Sequence, residues 1–211
     1  MSNPHKGKFI TLEGGEGTGK STQAEMMIQS LSARGISAIS TREPGGSEGA
    51  ELIRQLLVSG DVQRWDAVTE TLLMNAARRD HLVSKIIPAL QAGTWVICDR
   101  FADSTLAYQG YGNGVELPYL NSIYELVAGT LTPDITFVFD ICPRVGIERA
   151  RGRGGKEDRY ERMSMEFHDR VREGFRRIAQ TDLNRYILID ASLDRDTIAQ
   201  QLDEYIRQRL A

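Results

Sequence analysis

Between Gly14 and Gly19 four of six residues are glycine, and the run ends in Lys20, Ser21 and Thr22. So little side chain is tolerated only where the backbone must curl tightly against something that comes close. The stretch "GGEGTGKS" satisfies glycine, four residues, glycine, lysine, hydroxyl. Its flanks are the ones that pattern requires: an apolar strand-like run, "KFITLEG" (8–14), before it and a helical pattern, "STQAEMMIQSLSARG", after it. Gly14, Gly15, Gly17 and Gly19, with Glu16 and Thr18 among them, let successive N–H groups point into one concavity that a polyphosphate can enter. The helix opening near Lys20 adds the positive end of its dipole. Lys20 reaches the β and γ phosphates, Ser21 offers a hydroxyl to Mg2+, and Thr22 closes the run. A nucleoside triphosphate with Mg2+ is the first ligand; a tight strand-to-helix corner with no ligand is the alternative.

Four further runs share the first one's short, nearly continuous apolar character: "SAISTRE" (37–43), "TWVICDR" (94–100), "ITFVFD" (135–140) and "YILIDA" (186–191). Continuous rather than alternating runs suit strands covered on both faces, as in a parallel sheet. Helical patterns lie between them. Over 67–90, Val68, Leu72, Ala76, Val83, Ile87 and Leu90 recur every three or four residues as one buried stripe, with Gly93 as the stop. A second helix runs over about 160–181, and "DTIAQQLDEYIRQRL" closes the chain with Ile198, Leu202 and Tyr205 facing in. The alternation predicts an α/β three-layer fold whose ligands gather beyond the carboxyl ends of the strands. At 211 residues and 41% apolar content, residues 1–211 form one domain. A formal charge of −3 gives no global attraction to nucleic acid or anionic lipid, so any anion site is local. Cys98 and Cys142, each beside an apolar run, read as buried thiols. No apolar stretch approaches the roughly 18 residues of a membrane span, which points to a cytoplasmic protein.

Three features narrow the activity. Glu16 would repel a triphosphate if it turned inward, so it faces outward, toward a second ligand carrying a hydroxyl. "TREPGG" sets Arg42, and "CDRFADSTLAYQG" sets Asp99 and Arg100, at strand ends on the phosphate loop's own edge, where two guanidiniums can clamp a second phosphate. "ERARGRGGKEDR" (148–159) brings Arg149, Arg151, Arg153 and Arg159 to a lid segment at about 148–160, able to put positive charge on a migrating phosphoryl group and exclude water. A solvated charged loop and an RNA-binding arginine–glycine segment are the competing readings of that stretch.

The chain resembles the bacterial thymidylate kinase family over nearly its whole length. "LEGGEGTGKST", "TREPGG", "LLMNAARRDHLV", "DRFADSTLAYQGYGNG", "PDITFVFD" and "RARGRGGKEDRYE" carry the likeness. It implies a P-loop three-layer sandwich: a central five-stranded parallel sheet, helices on both faces, and an arginine-rich lid. The implied activity is Mg2+- and ATP-dependent phosphorylation of dTMP to dTDP, in dTTP synthesis, by a cytoplasmic homodimer without nucleic-acid or membrane partners. On this likeness residues 14–22 bind ATP, and Glu16 faces the deoxyribose 3′-hydroxyl. Arg42 and Arg100 hold the dTMP phosphate, and Asp99 sits beside the metal through water while Ser21 ligates it. Arg78 bonds the thymine carbonyl, Thr105 and Gln109 reach the polar edge of the base, and Tyr108 packs where a 2′-hydroxyl would lie. Arg153 is the catalytic lid arginine, with Arg149 and Arg159 next in line. Met74 stands where many relatives stack a phenylalanine on thymine; a thioether against a ring contributes about 0.3 to 1.5 kcal/mol.

Two other activities share these features: a small kinase for dUMP, another nucleotide or a deoxynucleoside, and a nucleotide-dependent switch or motor with slow hydrolysis, although the guanine-reading N-K-x-D tetrapeptide is absent from the sequence. Lys20→Ala is expected nearly to abolish turnover. Arg153→Ala is expected to lower kcat more than it raises KM, and steady-state kinetics with the reverse pattern would reassign Arg153 to ground-state binding.

Overall fold

A computed structural model describes residues 7–152 and 158–210. Its strands β1 (Phe9–Gly14), β2 (Ala38–Arg42), β3 (Trp95–Asp99), β4 (Ile135–Asp140) and β5 (Tyr186–Asp190) pair in parallel in the order β2-β3-β1-β4-β5. The helices are α1 (Lys20–Ala33), α2 (Glu48–Val58), α3 (Ala67–His81), α4 (Ile87–Gln91), α5 (Ala102–Thr105), α6 (Leu117–Ala128), α7 (Pro143–Arg151), α8 (Met165–Ala179) and α9 (Arg195–Leu210). Register sets Leu12 beside Asp99, Arg42 beside Asp99, and Gly14 beside Phe139. The carboxyl ends of four strands thus meet at one edge, where the phosphate loop leaves β1.

The sheet is buried on both faces, which is why its strands read as continuous apolar runs. Ile10, Leu12, Ile97, Phe137 and Phe139 meet Met27 and Leu31 of α1 and Leu202 and Ile206 of α9 on one face. On the other, Phe9, Val96 and Cys98 meet Leu82, Ile86, Leu90 and Val127, and Val138 meets Phe167, Val171 and Phe175 of α8. Each such side chain contributes about 1.5–3 kcal/mol by leaving water. Thr11 and Thr136, also on that second face, satisfy one another at 2.8 Å.

The stripe expected over 67–90 is rotated. Leu90 is fully buried and Ile87 partly so, but Val68, Leu72 and Val83 are 59%, 56% and 50% exposed and Ala76 is exposed too. The buried face instead runs Thr71, Asn75, Arg78, His81, Leu82, Ile86, Leu90. A π-helical turn at Leu82–Ile86 joins α3 to α4. Its wider winding keeps residues four apart in line through Leu82, Ile86 and Leu90, so a strict 3.6-residue period selects the wrong face upstream. Arg78 and His81 consequently point inward, where apolar scoring has no reason to put them. In α9 Ile206 is buried, and Tyr205 packs half-buried against Phe137. The helix expected at 160–181 occupies Met165–Ala179, and α2, α5, α6 and α7 are helices beyond those read from the sequence. Cys98 is buried, but Cys142 is exposed because β4 has ended and the chain is turning into α7.

Candidate functional site

The phosphate loop is shaped by its neighbours as well as by its glycines. Gly14 and Gly17 have φ of +133° and +65°; a Cβ on Gly14 would lie 2.4 Å from the Phe139 carbonyl oxygen, and one on Gly17 would lie 1.9 Å from that of Gly146 in α7. β4 and α7 therefore press on the back of the loop. A Cβ on Gly15 or Gly19 would meet nothing within 4 Å, which leaves those backbone units approachable. Lys20 opens α1 and is nearly buried, donating from Nζ to the carbonyls of Gly14 (3.2 Å) and Gly15 (2.7 Å) and to Thr18 Oγ1 (3.0 Å). Burial, with Arg100 alongside, lowers its ammonium to about 8 against the pull of Asp99, Glu16 and Glu13.

Ser21 Oγ donates to Asp99 Oδ2 at 2.5 Å. These two hard oxygen donors, from the first turn of α1 and the end of β3, suit Mg2+, which takes one or two protein oxygens and keeps several waters.

Arg100 follows directly and has φ +69°, a left-handed conformation that is uncommon without glycine. The turn is held from both sides. Arg100 N donates to Leu12 O at 2.9 Å. The buried Glu13 carboxylate accepts from Phe101 N (2.8 Å) and from Ser104 Oγ (2.6 Å). Burial and the Asp103 charge push Glu13 up to about 7. So aimed, the Arg100 guanidinium donates to Gly14 O (2.7 Å), Ser104 Oγ (3.2 Å) and Glu16 Oε1 (2.9 Å). Tyr108 OH donates to the same Glu16 oxygen at 2.8 Å. Burial works against the Glu16 charge, but Arg100, Lys20 and the Tyr108 hydroxyl hold its carboxyl down at about 2. Glu16 thus faces Arg100 and Tyr108.

One cleft of about 680 Å3 connects these groups. The phosphate loop from Glu16 to Ser21, the strand-end residues Arg42, Asp99 and Arg100, and the group Met74, Arg78, Thr105, Tyr108 and Gln109 all line it, with Arg100 and Tyr108 both bonded to Glu16. Arg42 is half-exposed at the end of β2 and pairs with Glu51 of α2 at 3.1 Å. Arg78 is buried and bonds Glu43, Asn75, the Phe101 carbonyl and Thr105. Tyr108 and Gln109 project together from a second π-helical stretch, Leu106–Gly112. Gln109 Nε2 donates to Glu70 at 2.8 Å.

Other candidates fall elsewhere. Gly14 and Gly15 form the loop's base outside the cleft lining, and Thr22 is exposed beyond it. Arg149 is turned to the far side of α7, donating to Ala191 O at 3.0 Å. Arg153 lies outside the described residues. Arg159 departs most from expectation. Only 1% exposed, it donates to the carbonyls of Leu57, Asp61 and Val62 and pairs with Glu70 at 2.5 Å. Its whole fork is spent on tying the end of the lid segment to α2 and α3, away from the phosphate loop. Among the described residues, the arginine of 148–160 that lines the cleft is Arg151, the last residue of α7. Sequence reasoning missed Arg54 of α2, which lines the cleft while donating to Pro44 O at 2.6 Å, and Tyr160, whose ring stands edge-on to Tyr108 at 5.5 Å. Their signal was spacing: Arg54 lies in an amphipathic helix just after "TREPGG", and Tyr160 one residue past Arg159.

The family model described as thymidylate kinase matches residues 12–202. The chain is 44% identical over 212 residues to the thymidylate kinase of Afipia carboxidovorans, covering 100% of this chain and 93% of that protein. It is 48% identical over 186 residues to that of Magnetococcus marinus, covering 88% and 89%. The crystal structure of thymidylate kinase from Ehrlichia chaffeensis superposes with a TM-score of 0.78 at 34% identity, covering 95% of this chain and 98% of that one.

Arg159→Ala is expected to cost about 3–5 kcal/mol in urea unfolding, because it strands the buried Glu70 carboxylate; lost turnover at unchanged stability would instead make Arg159 catalytic. Nucleoside triphosphate affinity of the free protein, followed by calorimetry, is expected to weaken as pH rises through about 8, where Lys20 loses the proton that meets the phosphates. The Lys20 contribution to stability runs the opposite way: its folded value lies below the ordinary 10.5, so stability rises with pH between about 8 and 10.5. Triphosphate binding that stays flat across that range would show that Lys20 keeps its charge.

Proposed function

The chain belongs to the thymidylate kinase family, and from that premise we propose that it transfers the γ-phosphoryl group of ATP to the phosphate of dTMP, giving dTDP and ADP. The observation that carries the reading is one cleft lined together by the phosphate loop, by Arg42 and Arg100, and by buried Arg78 with its polar partners. That combination suits two nucleotides lying with their phosphates facing.

The phosphate-loop amides and Lys20 hold the donor, with Lys20 exchanging the loop carbonyls it now bonds for phosphate oxygens. Ser21, and Asp99 through water, would hold Mg2+, which neutralises charge on the donor phosphates. Arg42 and Arg100 grip the acceptor phosphate so that one of its oxygens attacks the γ-phosphorus in line while the bond to the β–γ bridging oxygen breaks. Glu16, fixed by Arg100 and Tyr108, accepts from the sugar 3′-hydroxyl; the Tyr108 ring fills the space a 2′-hydroxyl needs. Arg78, Thr105 and Gln109 address the base edge, and Met74 lies against its face. Of the lid arginines, Arg153 remains the candidate for the migrating phosphoryl group, with Arg151 the described one at the cleft. The reactants are cytoplasmic solutes, and the enzyme is placed there. Among the described residues no helix is long and apolar enough to cross a membrane.

A homodimer fits the surface of three neighbouring helices. Leu52 of α2, Val68 and Leu72 of α3, Val83, and Tyr119 and Leu126 of α6 are all half or more exposed, and α3 packs against both α2 and α6. Exposed large apolar side chains gathered on neighbouring helices suit an association surface.

Incubation with ATP, Mg2+ and each nucleoside monophosphate in turn is expected to yield diphosphate with dTMP above all others. Phosphate release that ignores the acceptor would favour a switch, and dUMP as the best acceptor would reassign the base. Light scattering is expected to give a dimer mass for the wild type and a monomer for Leu72→Glu; a wild-type monomer at micromolar concentration would remove the dimer.

A further inference from the structure

From Arg78, which lines the cleft, a chain of buried polar groups runs inward to Glu43, His81 and Thr41, the last two outside the cleft lining. Arg78 offers five N–H groups. Nε donates to Glu43 Oε2 (2.8 Å), Nη1 to Asn75 Oδ1 (3.0 Å), and Nη2 to both Phe101 O and Thr105 Oγ1 (3.0 Å each). Among the described residues four are committed, and one on Nη1 is left over. A guanidinium with one spare N–H recognises one carbonyl, and only if its plane is fixed.

Glu43 does the fixing, and His81 holds Glu43. His81 is 0% exposed and absent from the cleft lining, yet its Nδ1 stands 3.1 Å from Glu43 Oε1. A carboxylate paired with an arginine cannot donate, so Nδ1 carries the proton. The other ring nitrogen, Nε2, lies 2.7 Å from Thr41 Oγ1. That second bond, between the ring nitrogen and the threonine hydroxyl, fixes the ring plane. The "TREPGG" loop closes over this pair without room to spare: a Cβ on Gly46 would fall 2.4 Å from His81 Nε2 and 2.5 Å from Thr41 Oγ1. Glu43 is anchored through its backbone as well, Glu43 N donating to Asp99 O at 3.0 Å.

Glu43, His81 and Cys98 offer ligand atoms within 4.8 Å of one another, a grouping that suggests a metal. Their bonds argue otherwise. Glu43 is shared between Arg78 and His81, both His81 nitrogens are engaged, and the Cys98 thiol donates to Arg100 O at 3.0 Å. The cluster is a relay of hydrogen bonds.

We infer that His81 is a positioning residue for acceptor recognition: through Glu43 it sets the plane of the Arg78 guanidinium, so that the one uncommitted N–H meets a carbonyl of the acceptor base. Removing the His81 bond leaves a buried carboxylate oxygen unpaired and free to rotate, and the arginine turns with it. This rests on the reading that Arg78 binds the acceptor base. Among the described residues the relay side chains bond none of the phosphate loop, so the effect is expected on the acceptor.

The test compares His81→Asn, His81→Gln and His81→Ala with Arg78→Ala, measuring KM for dTMP, KM for ATP, kcat and thermal midpoint. Asparagine puts its amide N–H where Nδ1 stood, and glutamine near Nε2. His81→Gln and His81→Ala are expected to raise KM for dTMP about tenfold, a penalty of about 1.4 kcal/mol, with kcat and KM for ATP within about twofold. His81→Asn is expected to restore most of that loss, and in the Arg78→Ala background His81→Ala should add nothing. Equal defects in asparagine and glutamine variants, or additive effects with Arg78→Ala, overturn the relay, and that comparison stands even where the alanine variant fails to fold. If Arg78→Ala raises KM for dTMP and His81→Ala does not, only the relay falls. If Arg78→Ala leaves it unchanged, the base-binding reading falls and takes the relay with it.

Discussion

The backbone of the phosphate loop is in contact with two carbonyl oxygens that leave no space for side chains, those of Phe139 at the end of β4 and Gly146 in α7. Everything at the site takes its position from that contact. With its back pressed against β4 and α7, the loop turns its open side to the cleft, and Lys20 is carried into a nearly buried position at the start of α1. Parallel register then brings Asp99 beside Leu12, so that the carboxylate at the end of β3 and the hydroxyl of Ser21 come within hydrogen-bonding distance. A packing constraint within the fold thereby places the charges that the chemistry needs.

Opposite charges inside the cleft are balanced group by group. Arg100 is held by Glu16, Arg78 by Glu43, and Arg42 by Glu51. Each cation is aimed by a carboxylate that belongs to a neighbouring element, which explains how an acidic chain keeps a site for two polyanions without a basic surface. The strained backbone at Arg100 belongs to the same scheme. Left-handed geometry costs of order 1–3 kcal/mol in a residue with a side chain. It is offset here by the Glu13 carboxylate, which accepts from Phe101 N and from the Ser104 hydroxyl of the following turn.

Much of this was readable before any coordinates. The glycine loop betrayed itself because glycine, lysine and hydroxyl each have one physical job there, and the five strands because burial on both faces leaves an unbroken apolar run. That Arg42, Asp99 and Arg100 share one cleft with the phosphate loop follows from strand ends that converge in a parallel sheet. The misreadings share a cause. Val68, Leu72 and Val83 form a true apolar stripe, but period alone cannot say whether a stripe meets the core or another surface, and the π-turn at Leu82–Ile86 shifts the phase between the two halves of the helix. The arginine- and glycine-rich run at 148–159 gives Arg159 the look of a lid charge. Its partners, the carbonyls of Leu57, Asp61 and Val62 and the side chain of Glu70, lie about a hundred residues away in the chain and leave no local trace. The Thr41–His81–Glu43 relay was hidden for the same reason, scattered over two segments that only the fold brings together.

The single extra residue in the π-turn after His81 is a phase shifter on a molecular axle. Excising it would restore ordinary winding and swing the upstream half of the rod by about 100° relative to the downstream half. Leucine and valine now bathed in solvent would rotate toward the sheet, while the guanidinium and imidazole would be wheeled out of the interior. One surplus peptide unit, which no composition count can register, thus decides which half of an amphipathic helix becomes machinery and which becomes skin.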